Sequence, residues 1–210
     1  MFIMGDVFIA DPFDMELRPL SCSIPQSLGK GDKQTLLQVA TNAITHTLVH
    51  HASVNIDPRC YSKLLQEERA TFVTLEISEQ LRGCIGTLNA RQALVLDVAA
   101  NACAAAFNDH RFPRLGRSEL GQVVIHISVL GPSEPVQFET QQELLEKIRP
   151  GVDGLILSEG PRRGTFLPSV WDQVSSPVEF VRHLKIKAGL PADYWSDSIR
   201  VERYTTESFS

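Results

Sequence analysis

Two glycines inside an otherwise strand-forming hairpin constrain this chain more than any other feature. Val73, Leu75 and Ile77 alternate with Phe72, Thr74 and Glu76, the period-two pattern of a strand with one buried face. Ser78-Glu79-Gln80 follows as a short polar connector, and Leu81-Arg82-Gly83-Cys84-Ile85-Gly86-Thr87-Leu88 reads as the returning strand of a β-hairpin. Glycine weakens a strand and packs nothing, so inside one it marks a bulge, or a close approach by backbone or ligand. Whatever this chain folds into must bring something against Gly83 and Gly86.

The remaining periodicities set the fold class. Residues 1–31, punctuated by Pro12, Pro19, Pro25 and Gly29-Lys30-Gly31, read as an irregular leader. A helix capped by Asp32 follows, with Leu37, Ala40, Ile44 and Leu48 as its apolar stripe. His46 and His50 lie away from that stripe and lack the acid of a metalloprotease helix, so they read as solvated surface histidines. Residues 92–107 are rich in Ala, Leu and Val and form a second helix, small enough in its side chains to lie close on a sheet and stopped by Pro113. Residues 122–130 alternate again, with Ile125, Ile127 and Val129 on one face and His126 and Ser128 on the other.

Thr140-Gln141-Gln142-Glu143 has the form of a capping box and opens a short helix. A second hairpin turns through Gly160-Pro161-Arg162-Arg163-Gly164. Ser176-Pro177-Val178-Glu179 opens a last helix, buried through Phe180, Val181, Leu184 and Ala188 and ended by Gly189 and Pro191. Ile199 and Val201 suggest a final strand before a polar tail at 205–210. Helices and hairpins mix without regular βαβ alternation, which points to an α+β (mixed α/β) fold over a doubly wound one.

Composition narrows the function classes. A chain of 210 residues, 43% hydrophobic, can build a core without disulfides or a structural metal. Cys22, Cys60, Cys84 and Cys103 form no short pair, so neither a zinc ribbon nor a redox motif is expected, and free thiols fit a reducing cytoplasm. The net charge of −5 weighs against a nucleic-acid partner. No signal peptide and no stretch apolar enough to span a membrane is legible. No P-loop, dinucleotide-binding glycine run or nucleophile elbow is present, and no cofactor or metal is expected.

Three clusters carry candidate chemistry. In a regular strand Arg82, Cys84 and Gly86 share a face, and a guanidinium near a thiol favours its nucleophilic form. Cys84 is then either a reactive thiol beside an anion-binding arginine, or a small buried residue between glycines that permit tight packing. Asn108-Asp109-His110-Arg111-Phe112-Pro113 offers acid, base and anion binder at a helix end, or a capping and salt-bridging turn. His126 either lines a cleft or is a hydrogen-bonded structural histidine.

Taken together, several ordered motifs resemble the AMMECR domain family, also called AmmeMemoRadiSam system protein A. Leu81-Arg82-Gly83-Cys84-Ile85-Gly86 is followed by Asp97-Val98-Ala99-Ala100-Asn101-Ala102, Arg111-Phe112-Pro113, Arg149-Pro150-Gly151-Val152-Asp153-Gly154, Gly164-Thr165-Phe166-Leu167-Pro168-Ser169-Val170-Trp171 and Lys187-Ala188-Gly189-Leu190-Pro191. The resemblance covers roughly residues 32–204 and implies one domain of two intertwined subdomains, with mixed or antiparallel sheets, flanking helices and a cleft near the cysteine motif. It also implies a pathway shared with Memo-like and radical SAM proteins, acting on a small-molecule, nucleotide-like or other anionic ligand. On that basis Cys84 is the candidate nucleophile and Asp109 and His126 are candidate acid–base residues. Arg82, Gly83, Gly86 and Arg111 would line the substrate site, and Asn101 would orient the substrate. His110 and His126 stand where the family pattern leads one to expect acids. The competing reading is a non-catalytic module that docks onto those partners.

Overall fold

A computed structural model describes residues 27–210. The described residues form four α-helices, α1 (Lys30–His50), α2 (Leu94–Phe107), α3 (Gln141–Lys147) and α4 (Pro177–Lys187). Their strands are β1 (Thr71–Ile77), β2 (Gln80–Gly86), β3 (Val124–Leu130), β4 (Glu134–Pro135), β5 (Gly154–Glu159), β6 (Arg162–Phe166), β7 (Arg200–Tyr204) and β8 (Thr206–Phe209). They make two sheets, ordered β2-β1-β3-β8 and β4-β7-β5-β6, and every pairing is antiparallel. The α+β expectation holds, with the sheets antiparallel and not mixed.

Each sheet buries one face under its own helices. Val73, Leu75, Ile127 and Val129 meet Leu36, Ala40, Ile44, Val98 and Ala102 of α1 and α2 in one core. Leu155, Leu157 and Val201 meet Leu144, Phe180 and Leu184 of α3 and α4 in the other. There Trp171 stacks on Phe180 at 3.9 Å between ring centroids, and Phe166 meets the same ring edge-on. A third, smaller cluster of Ala70, Leu130, Ile156 and Tyr204, with Phe72, Leu88 and Leu167, joins the two sheets. Burial of each large aliphatic side chain contributes about 2 kcal/mol, so the two main cores dominate and the third chiefly orients one sheet on the other.

Local signals account for most element boundaries. Thr140 and Ser176 accept hydrogen bonds from the backbone N–H groups of Glu143 and Glu179, so both caps form as expected. Pro177 starts α4, and Gly189 at φ 79° follows its end. The β1–β2 connection is a two-residue turn, with Ser78 at φ 52° and Glu79 at φ 61°, while Gln80 already pairs with Ile77.

Four expectations need correction. Helix α1 begins at Lys30, inside the expected leader, and its N-cap is Gly29; Asp32 lies in the first turn and receives a hydrogen bond from Ser62 instead. Its buried stripe runs through Leu36, Val39, Ala40, Ala43 and Ile44, leaving Leu37 and Leu48 only half-buried. The returning strand ends at Gly86, two residues short of Leu88, although the Thr87 N–H still donates to the Thr71 carbonyl at 2.9 Å. The polar tail is a strand: β8 completes the first sheet against β3, and Glu207 holds Lys33, Ser27 and the Leu28 N–H. Its polar residues hid it, because an edge strand with one wet face needs few apolar side chains. The rest of the expected leader, residues 1–26, lies outside the described residues.

Candidate functional site

The hairpin register decides where Cys84 sits. Leu75 pairs with Gly83 but Glu76 with Leu81, so Arg82 is an extra residue, a β-bulge that breaks the simple alternation. Arg82 makes a two-pronged ion pair with Glu119, at 2.7 and 3.1 Å, and its side chain is 11% exposed, so its guanidinium is already committed to a carboxylate. The guanidinium keeps Glu119 below the usual carboxylate range.

Both glycines are explained by packing. A Cβ on Gly83 would stand 2.2 Å from the Ala105 carbonyl oxygen of α2, and one on Gly86 would stand 2.3 Å from the Phe72 ring. The close approach that the sequence demands is to the chain's own backbone and side chains.

Cys84 is half-buried on the outer face of the first sheet. One row crosses that face, with Cys84 opposite Thr74 and Thr74 opposite His126. Thr74 Oγ1 donates to the Cys84 sulfur at 3.2 Å. His126 lies two strands from Cys84, about 10 Å by strand spacing; its Nε2 is 3.2 Å from Glu76 Oε2 without the alignment of a hydrogen bond.

β2 is an edge strand, and its outward backbone groups at Cys84 are covered by side chains. Asp109 Oδ2 accepts from the Cys84 N–H at 2.9 Å, and Arg111 Nη2 donates to the Cys84 carbonyl at 3.2 Å. The same two residues bind each other through Arg111 Nε at 2.9 Å and Nη2 at 2.6 Å, and the Arg111 N–H adds a third bond to Asp109. The pair thus substitutes for a neighbouring strand at one residue and closes the edge there. Arg111 holds the buried Asp109 carboxyl far below the usual carboxylate range, against the opposing effect of burial.

A second cation arrives from the far end of α4. Lys187 and Arg111 are both within electrostatic reach of Cys84 and of each other, and the Lys187 ammonium lies 4.9 Å from the Phe166 ring centroid. Lys187 is exposed as a residue, yet desolvation of its ammonium lowers its proton affinity, and Arg111 lowers it further while Cys84 opposes. Cys84, Thr74, Asp109, Arg111 and Lys187 form one cluster; His126 stands beside it.

Asn101 belongs elsewhere. It is buried on the helix side of the sheet, donating to Asp97 Oδ2 at 2.9 Å and to the Thr71 carbonyl at 3.1 Å. Asp97 also accepts from the Thr71 N–H and hydroxyl, Thr87 and Gln92, all neutral donors. His46 and His50 stack with ring centroids 4.6 Å apart, and no cluster of potential metal ligands occurs among the described residues. Arg162 and Arg163 are exposed at the tip of the second hairpin. No helix among the described residues is long and apolar enough to cross a membrane.

The large cavity of the molecule is separate from Cys84. It measures about 1020 Å³ and lies between the two sheets, lined by residues 67–70, 88–90 and 130–133 with Ile156 and Tyr204. No residue of the Leu81-to-Gly86 motif lines it.

The AMMECR1 family model matches residues 37–209. The chain belongs to the AMMECR1 family. A protein of Methanothermobacter thermautotrophicus is 35% identical over 188 residues, covering 87% of this chain and 95% of its own. A Thermotoga maritima protein is 37% identical, covering 70% and 80%. Among solved structures, an uncharacterized protein from Pyrococcus horikoshii superposes with a TM-score of 0.75 at 32% identity, over 83% of this chain and 88% of that one. The two-sheet architecture of this AMMECR1 chain is thus shared with a relative across most of its length.

Sequence reasoning missed Thr74, Glu119, Lys187 and Asp97. Thr74 could be found only with the bulge known, because an unbroken two-residue hairpin would place it opposite Gly83. Lys187 stood in a quoted motif but gave no sign of meeting Cys84, since it reaches the cluster from the end of α4, a helix of the second core.

Proposed function

We propose that this AMMECR1 chain is an enzyme, or a component of one, with its site at Cys84, working in the cytoplasm with Memo-like and radical SAM proteins on an anionic substrate. The reading is carried by one observation: a half-buried thiol accepts a hydrogen bond from Thr74 while two cationic side chains, Arg111 and Lys187, stand within electrostatic reach of it. Two cations beside one thiol attract an anionic group to it. In this reading Cys84 is the reactive thiol, and Arg111 and Lys187 hold the anion. Asp109 is a positioning residue, since its carboxylate is committed to Cys84 N–H and Arg111. Gly83 and Gly86 serve the site by letting the strand lie close to α2 and to Phe72.

The test is peptide-resolved alkylation of the native protein with neutral iodoacetamide and anionic iodoacetate, comparing Cys84 with exposed Cys60 and half-buried Cys103. Burial pushes the Cys103 thiol up, so it should label slowest. Cys84 is expected to label in the native protein and to favour iodoacetate over iodoacetamide more than Cys60 does, a preference that Lys187→Met should reduce. A Cys84 that labels only after denaturation sinks the reading.

One feature favours the docking alternative. Leu81 and Val124 flank Glu76 in a single row of the same outer face and are 45% and 50% exposed. If that row is a partner surface, Leu81→Glu with Val124→Glu abolishes capture of a Memo-like protein in a pull-down while Cys84 alkylation stays as in wild type.

A further inference from the structure

The cavity between the sheets contains a cation without a partner among the described residues. Arg69 lines it, and its Nη1 is buried with no hydrogen-bond acceptor among the described residues. Glu67 and Glu68 line the same cavity, yet no ion pair among the described residues includes Arg69. Arg69 is half-buried as a residue, but a buried guanidinium N–H such as its Nη1 is ordinarily matched by carboxylate, carbonyl or water. The remaining wall is largely apolar, with Leu88, Leu130 and Ile156 beside the Tyr204 ring. Burial pushes the Tyr204 hydroxyl up to about 12, so the ring stays neutral and adds no negative charge.

We infer that this cavity is a binding site for a small organic anion, with a compact oxyanion head on Arg69 and an apolar or aromatic body against Leu130, Ile156 and Tyr204. A planar guanidinium suits phosphate and carboxylate heads alike. Glu67 and Glu68 are exposed, standing at the watery side of the cavity, where they accept donors from the ligand's far end. The volume of about 1020 Å³ exceeds what an inorganic ion needs and suits a molecule of cofactor or metabolite size. This site stands on residues outside the Cys84 cluster and does not depend on the reactivity of that thiol.

The experiment is calorimetric titration of the full chain with phenyl phosphate, benzoate, inorganic phosphate and phenol, with amide chemical-shift mapping. Phenyl phosphate or benzoate is expected to bind more tightly than inorganic phosphate or phenol, with shifts at Ala70, Gly131 and Tyr204. Arg69→Gln should weaken that binding roughly tenfold or more, Arg69→Lys less, and Cys84→Ala not at all. Ala90→Trp, an exposed change in the cavity wall, should block binding while Arg69 remains. Equal affinity for inorganic phosphate, unchanged affinity in Arg69→Gln, shifts mapping elsewhere, or no binding of either organic anion to wild-type protein would each overturn the inference. Loss of binding in Cys84→Ala would also overturn it, by moving the anion to the thiol cluster.

Discussion

The two halves of the molecule each contain a buried aspartate clamped by a half-exposed arginine, and they use the clamp differently. In the second half Arg149 grips Asp153 at 2.6 Å, with the arginine side chain 52% exposed and the aspartate fully buried. In the first half Arg111 grips Asp109 at 2.6 Å, with exposures of 55% and 3%. At Arg149 the spare capacity is spent locally: its own N–H donates to Asp153, whose backbone carbonyl takes the Trp171 indole at 2.7 Å. That clamp fastens one turn to the core beside it. At Arg111 the spare donor and acceptor reach some twenty-five residues back in the chain, to the N–H and carbonyl of Cys84. One ion pair staples a turn; the other holds the strand that bears the thiol. What an ion pair does is set less by its own geometry than by what its remaining lone pairs and protons hold.

Substitutions that disturb the backbone beneath each half should separate them most. Gly83→Ala drives a Cβ to 2.2 Å from a helix backbone oxygen and is expected to destabilise by about 3 kcal/mol. Its counterpart Gly164→Ala meets the Ala188 N at 2.9 Å and should cost about 2 kcal/mol. Urea unfolding measures both, and equal losses would mean that the first sheet yields to α2 more easily than its packing implies. Next come the clamps. Asp109→Asn and Asp153→Asn should each lose about 2 kcal/mol, since either leaves a partly buried guanidinium without its counter-charge. Only Asp109→Asn should also change the Cys84 alkylation rate. If Asp153→Asn changes it equally, the two clamps are not distinct.

Acid should expose the first clamp in a third way. Arg111 depresses the Asp109 carboxyl in the folded state, so folding binds the ionised form more strongly than the unfolded chain does. That stabilisation is fully present above the unfolded value of about 4 and is lost as pH falls toward the lower folded value. The stability gap between wild type and Asp109→Asn is therefore expected to be constant above about pH 5 and to narrow below about pH 4. A gap that stays flat through that range would mean that hydrogen bonds, and not charge, carry the clamp.

How much of this was legible depended on how far the cause lay from the residue. Caps at Thr140 and Ser176, the turn glycines and the two hairpins were readable because their causes sit within four residues. The glycines at 83 and 86 announced a close approach, but not that α2 and Phe72 make it. Asp109 and Arg111 were readable as a polar cluster at a helix end, and the alternative of a salt-bridging turn was the nearer description of their contacts. The bulge at Arg82 was invisible, and it brought Thr74 opposite Cys84. β8 failed for the opposite reason, since its sequence is polar and its pairing is with a strand some eighty residues earlier.

The smallest expected effect is the most specific. Arg111→Lys and Arg149→Lys preserve charge but lose the planar fork that donates in two directions at once. Both side chains are half exposed, so solvent screening should keep each stability loss small. The losses should be similar, yet the consequences should not. In Arg149→Lys the new ammonium would still reach Asp153, and nothing beyond the turn depends on it. In Arg111→Lys a single ammonium cannot serve the Asp109 carboxylate and the Cys84 carbonyl together, so the edge of β2 opens at that residue. Amide hydrogen exchange then reads the difference directly: the Cys84 N–H should exchange faster in Arg111→Lys, while the Asp153 N–H, bonded to the Arg149 carbonyl at 3.0 Å, keeps its protection in Arg149→Lys. Equal protection of Cys84 in both variants would show that Asp109 alone covers the edge, and would reduce Arg111 to the counter-charge that holds Asp109 in place.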